Sequence, residues 1–225
     1  MTWRVSPREH ERWRIANEDE KGFWLGLSEE EFRAQERGYR ALAEQLERRI
    51  ATWGVRPDYR VLQIGCAAED TVFFMKGAAR YAVDPLADFY KAHFRRSNNP
   101  GVDYRKGVGE EIPFPDSSMD VVICQNLLDH VANYDVVLEE VKRVLDRPNL
   151  AFFGTDVYPQ HVAEARWARL EKGEVFDVQH PHTFTESTLE ATLEAHGFEI
   201  LERYPPQPAG KGDESHRHCL YARSR

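Results

Sequence analysis

The residues best placed to do chemistry are Gly65, which ends the apolar run Val61-Leu62-Gln63-Ile64, and Asp84, which ends the run Tyr81-Ala82-Val83. A glycine directly after a strand lets the backbone turn sharply, so that the N–H groups of the following residues can face a ligand. A carboxylate about 20 residues beyond such a turn can accept both hydroxyl hydrogens of a ribose diol. The alternative reading of Asp84-Pro85 is a turn that caps the next helix. Histidines form the second set. His180-Pro181-His182 could supply a general base, and Asp129-His130 follows an apolar run ending at Cys124. Neither pair has a cysteine or a further carboxylate at ligand spacing, so no metal is expected from the sequence. His216 and His218 alternate along the final short strand and are expected to face solvent.

Elements that could hold these residues follow from the patterning. Short strands are expected at 61–64, 80–83, 102–105, 119–124 and 149–155, with helices at about 68–77, 86–96 and 133–145 between them. That alternation means a doubly wound, Rossmann-like α/β sheet, mostly parallel. Past Asp156 come a helix at 160–172, a His-rich loop, a helix at 185–196 stopped by Gly197, and strands at 198–204 and 218–222. The last two strands, joined by the loop 205–212 without a crossover helix, must be antiparallel neighbours. This makes a seven-stranded sheet with an antiparallel last strand. Ahead of it, Ser6-Pro7 marks one helix start, and Ser28-Glu29-Glu30-Glu31 is a capping box for a second helix to about Trp53. Phe32, Tyr39, Leu42, Leu46 and Ile50 give that second helix one apolar stripe, for packing on the sheet or for a lid over it. The division expected is a helical extension over 1–54 and an α/β domain over 55–225, with 156–197 as its variable part.

At 225 residues, 41% apolar and 30% charged, the chain suits one globular domain with an extension. A net charge of −8 disfavours nucleic acid as a partner. No apolar run has the length of a membrane span or of a signal-peptide core, and the three cysteines have no redox or metal spacing. A cytoplasmic location is the expectation.

The runs Val61–Asp70, Tyr81–Asp84, Ile112-Pro113-Phe114-Pro115-Asp116-Ser117-Ser118-Met119-Asp120-Val121-Val122 and Leu127–Val131 together resemble the class I S-adenosylmethionine-dependent methyltransferases, and among them the type 11 methyltransferase domain. The resemblance covers about residues 55–155, with a further likeness from His182 to Phe198. It implies that Gln63, Gly65, Cys66 and Ala67 line the methionine part of S-adenosylmethionine, and that Asp84 and Pro85 meet the ribose. Gly109 and Glu110 would lie along adenine, with Cys124 and Gln125 beside the sulfonium. His130 and His182 are the candidate catalytic groups, facing a small-molecule acceptor.

The chain departs from the family at three places. Gln63 stands where an acid is usual, Ala67-Ala68-Glu69 replaces a glycine-rich turn, and Val108 falls where an acid often meets the adenine amine. Alanines at 67 and 68 fit that turn only with negative φ. These departures support a second reading, a methyltransferase-fold binding or partner subunit without turnover. A nicotinamide-dependent oxidoreductase is disfavoured, because no G-x-G-x-x-G follows the first strand.

Overall fold

A computed structural model describes the backbone of residues 7–208 and 214–225. Ser6, the expected first helix cap, and residues 209–212 of the expected C-terminal loop lie outside the described residues. Seven strands form one sheet in the order β3-β2-β1-β4-β5-β7-β6. They are β1 (Arg60–Ile64), β2 (Ala79–Asp84), β3 (Asp103–Lys106), β4 (Met119–Gln125), β5 (Leu145–Val157), β6 (Phe198–Pro208) and β7 (His216–Ser224). The first five pair in parallel, and β7 runs antiparallel between β5 and β6. Strand order reverses between β1 and β4, so the ligand crevice of such a sheet opens at their carboxyl ends.

Both faces of the sheet are covered, which is why β1 and β4 are buried along almost their whole length. One face carries Leu62, Val122, Phe153 and Leu220 under α4 (Tyr134–Val144) and α6 (Glu186–Ala195). The other carries Val61, Ile123, Phe152 and Tyr221 under α2 (Glu29–Thr52) and α3 (Ala87–His93). The capping box that starts α2 is present, Ser28 and Glu31 each satisfying the other's backbone N–H. Its stripe buries Ala43, Leu46 and Ile50 against the sheet. Leu46 and Ile50 each stabilise that contact by roughly 1.5–3 kcal/mol. The remaining helices are α1 (Pro7–Gly26), which runs past the end near Glu20 that its sequence suggests, and α5 (Gln160–Glu171).

The helix expected at 68–77 does not form. Asp70 caps a single 3-10 turn over Thr71–Phe74, and Met75 is already extended. Only residues 65–78 separate β1 from β2, close to the shortest connection a parallel crossover allows. The space a crossover helix would fill is taken by α2, so the N-terminal extension completes the layer. The stretch 205–208, expected as loop, continues β6.

Candidate active site

The turn after β1 is tied down on all sides. Gly65 has φ +69 and donates its N–H to the Val83 carbonyl at 2.8 Å. A Cβ on Gly65 would come within 2.8 Å of Leu127 Cδ1, so its backbone abuts the loop after β4. Ala67 has φ +46, against the expectation of a negative value. Three contacts hold it in this left-handed conformation, which costs an alanine about 1–2 kcal/mol. Its N–H donates to Asp84 Oδ2 at 3.0 Å, its carbonyl accepts from the Tyr104 hydroxyl at 2.7 Å, and the Ser97 hydroxyl holds the Ala68 carbonyl.

Asp84 is buried at the end of β2 and also accepts from Leu86 N–H at 2.8 Å. The capping geometry is thus real, yet a carboxylate has about four acceptor positions and two remain for other donors. Burial pushes its carboxyl up to about 7, with Glu20 and Asp70 adding to the rise against the two backbone donors. A buried acid in this condition gains most from new hydrogen-bond donors. Beside it opens a cleft of about 610 Å³ lined by Pro85, Lys106, Gly107, Val108, Glu111, the loop 112–115 and Trp13 of α1. Its volume and largely apolar walls suit a nucleoside.

The other sequence candidates fall in different places. Gln63 is fully buried and turned into the 3-10 segment, where its Oε1 accepts from Val72 N–H at 2.9 Å. Its Nε2 has no well-formed hydrogen bond, although it lies beside the Asp70 carboxylate. Cys66 and Cys124 sit within the two core faces, and burial pushes both thiols up, so they act as small apolar groups. The Gly109 Cα is packed against Val137 and Ile64. Glu110 turns inward and accepts from Ala132 N–H at 2.9 Å and Asn133 N–H at 3.1 Å, bracing the start of α4. Gln125 reaches the Thr71 hydroxyl at 3.1 Å. Of the cofactor candidates, the cleft itself therefore takes Pro85, with Asp84 adjoining. Val108, which falls where the family often has an acid and is expected with Gly109 and Glu110 along adenine, lies in the wall.

A second, ionic cluster occupies the carboxyl edge past β4. Arg217 on β7 donates to Asp156 at 2.8 Å and to Asn126 Oδ1 at 2.7 Å. Because that oxygen is an acceptor, the Asn126 amide nitrogen faces His130 Nε2, 3.1 Å away, and Nε2 is the unprotonated ring nitrogen. His180 is buried, with Nδ1 2.9 Å from Asp177 Oδ1, and its ring meets His130 edge to face at 4.3 Å. His182 is turned away from this group. Its Nε2–H donates to the Val131 carbonyl at 2.9 Å, Tyr134 packs on its ring, and burial lowers it to about 4, so it stays neutral. His218, expected to face solvent, is buried, because β7 lies inside the sheet, and its Nε2 meets Glu190 at 3.0 Å.

The N-terminal extension joins the two clusters. Trp13 of α1 lines the cleft, while Glu9 and Arg12 lie close enough to act electrostatically on His182, and Glu20 on Asp84. Trp24 then anchors the helix among Phe32, Tyr90 and Phe94. Tyr39 of α2, read in the sequence as stripe packing, is near enough to Asp70 and Arg217 to feel both charges. Nothing in the local sequence around Trp13 or Tyr39 marks them as site residues, because their role comes from where two helices cross the sheet edge.

The sheet is open, Rossmann-like and mostly parallel with an antiparallel β7, and it carries a cleft at its carboxyl edge beside the buried acid that ends β2. Residues 62–153 match the methyltransferase domain family. Among curated relatives, a Mycobacterium ulcerans protein named as a probable phthiotriol/phenolphthiotriol dimycocerosates methyltransferase is 35% identical over 118 residues, 51% of this chain and 45% of its own. A fatty-acid O-methyltransferase of Mycolicibacterium smegmatis is 32% identical over 45% of this chain and 38% of its own. A thiol S-methyltransferase of Mus musculus is 31% identical over 65% of this chain and 59% of its own. The chain thus spans between 38% and 59% of the length of these relatives.

Solved structures share the fold. An S-adenosylmethionine-dependent methyltransferase from Thermotoga maritima superposes with a TM-score of 0.58 at 19% identity, over 96% of this chain and 99% of its own. The [4+2]-cyclase SpnF superposes with a TM-score of 0.60 at 16% identity, over 80% of each chain.

Proposed function

We propose that the chain transfers a methyl group from S-adenosylmethionine to a small-molecule acceptor at the carboxyl edge of the sheet. The observation that carries this reading is the buried Asp84 carboxylate, still short of donors, beside the cleft of Pro85, Val108 and Trp13. Ribose hydroxyls would satisfy Asp84, and the base would lie between the loop 106–115 and α1. The turn at Gly65–Ala67 would border the methionine part, although Ala67 N–H is already given to Asp84. Bound there, S-adenosylmethionine supplies a methyl group activated by its sulfonium. The protein's task is then to exclude water and hold the acceptor in line.

His130 is the acceptor-facing group in this reading. It is half-buried, and the Arg217–Asn126 pair leaves its Nε2 unprotonated. His182, which shares its wall, holds the loop through Val131. Curated relatives carry names for lipid, fatty-acid and thiol methylation, so hydroxyl, carboxyl and thiol acceptors of apolar molecules are the first to test. Calorimetry with S-adenosylhomocysteine, followed by an acceptor screen read as S-adenosylhomocysteine release, tests the proposal. Absence of binding to the folded chain overturns it.

A binding or partner subunit without turnover is favoured by one specific feature. Gln63 and Glu69, at positions where the family has an acid and a glycine, are both committed internally, Gln63 to Val72 and Glu69 to Arg96. Tight S-adenosylhomocysteine binding with no turnover on any acceptor class would select this reading.

A further inference from the structure

Asp129, His130 and His180 each offer one ligand atom, and the three atoms lie within 4.8 Å of one another. Asp129 is 2% exposed, and its Oδ1 has no hydrogen-bond partner among the described residues. Leaving a carboxylate oxygen buried and unpaired is costly unless something outside the protein chain satisfies it. Both histidines can offer Nε2 as the acceptor nitrogen of the neutral ring. His180 gives its Nδ1–H to Asp177, whose carboxylate also accepts the His180 backbone N–H at 3.0 Å, so in the neutral ring Nε2 carries the lone pair. On His130 the Asn126 amide makes Nε2 the acceptor, 3.9 Å from Asp129 Oδ2. A histidine held through its far nitrogen by a carboxylate is the arrangement that orients metal-binding imidazoles.

We propose that Asp129, His130 and His180 form a binding site for a divalent transition-metal ion of the zinc type, with Asp177 as the positioning residue for His180. Two imidazoles and one carboxylate are a donor set for zinc that leaves a coordination position open. Ligand atoms around such an ion stand about 3.3–3.5 Å apart, so a small rotation of half-buried His130 closes the triad. Asn126 N–H is the contact the ion would displace, and Arg217 keeps that amide in place. The open position would take the hydroxyl or thiol of an acceptor. Coordination promotes loss of its proton to solvent, and the anion left is the nucleophile that methyl transfer needs. This last role rests on the methyltransferase reading, whereas metal binding does not.

The test uses the full chain, stripped with a chelator and titrated with Co²⁺, whose visible d–d absorption reports nitrogen and oxygen ligation. The parent is expected to develop that absorption and to lose it on adding Zn²⁺. Asp129→Asn and His180→Ala are expected to abolish it, with folding checked by circular dichroism. Asp177→Asn is expected to weaken Co²⁺ binding about 10–100-fold, a readout that does not depend on deleting a ligand. No absorption in the parent, or undiminished Co²⁺ affinity in folded His180→Ala or Asp177→Asn, overturns the site. S-adenosylhomocysteine calorimetry on the metal-free parent separates the two claims. Binding there without a cobalt site removes the metal alone, and a cobalt site without binding removes the methyl-transfer reading alone.

Discussion

The two halves of the sheet's carboxyl edge are built from different materials. Beyond β1, β2 and β3 the walls are mostly proline, aliphatic and aromatic groups, joined by Lys106 and Glu111, with Asp84 as the buried acid beside them. Beyond β4, β5 and β7 they are charged and tautomer-fixed side chains, with Asp129, His130, Asp156, His180 and Arg217 in one network. A wall of backbone and apolar groups recognises a ligand by shape and excludes water. Ionic groups held under restraint can instead polarise or deprotonate one. In the proposed function the first half would bind the nucleoside and the second the acceptor, with the turn at Gly65 between them and α1 alongside both.

If the halves differ as described, they break differently. Arg217→Met should have the largest effect on stability, because it leaves the Asp156 carboxylate, only 4% exposed at its side chain, without its cation. Removing one partner of such a pair costs about 3–5 kcal/mol. Urea denaturation measures it, and a loss below 1 kcal/mol would show that water already reaches Asp156. Gly65→Val comes next. Its side chain would meet Leu127 Cδ1 and would have to adopt φ +69, for an expected loss of about 2–4 kcal/mol from strain and overpacking. Should the variant keep parental stability but lose S-adenosylhomocysteine, the turn would belong to the ligand rather than to the joint between the halves.

How much of this was legible in the sequence differs between the halves in the same way. The nucleoside half depends on local order, a strand, a glycine and then an acid ending the next strand, and residues 61–84 display it in sequence. The central parallel strands were legible from their short apolar cores, Val61-Leu62, Ala82-Val83 and Val121-Val122-Ile123, which are buried in the sheet. The missing helix after β1 was not, since residues 68–77 include helix formers and it is the short connection together with α2, packed over it, that replaces a helix there. The ionic half was illegible for a different reason. His180 meets Asp129 and His130 across some fifty residues of chain, and Arg217 arrives from β7, so no spacing announces either contact. Tertiary placement also reversed His218, whose alternation on a final strand suggested solvent until β7 proved to be an inner strand.

Asp84 offers a sharper probe of the nucleoside half, through pH. Its carboxyl is raised from 3.8 to about 7 in the folded chain, so the folded state holds a proton that the unfolded state releases. The contribution to stability is full below about pH 4 and is lost as pH rises through 7. Asp84→Asn should abolish that slope and leave the variant relatively more stable at pH 8. Ribose hydroxyls donate to the anion, so parental affinity for S-adenosylhomocysteine should tighten as pH rises through 7. The variant should lose about 1.5–3 kcal/mol of affinity, roughly ten- to hundredfold in Kd. A pH-independent parental Kd would place the ribose elsewhere.

The smallest expected effect is also the most discriminating for the role of α1. Trp13 lines the cleft, whereas the helix is anchored by Trp24 against Phe32, Tyr90 and Phe94. Trp13→Ala should therefore leave thermal stability close to parental. Its ring would stack on or against a bound base, a contact worth about 0.5–1.5 kcal/mol, so Kd for S-adenosylhomocysteine should rise by roughly twofold to tenfold. The same variant also tests the division of the edge, because the helix runs on past the cleft toward His182, where Arg12 and Glu9 act. An unchanged Kd with a raised KM for acceptor would move Trp13, and the cover that α1 provides, to the acceptor half. A change in neither would leave α1 as packing alone, and the cleft would then need another wall to close over the base.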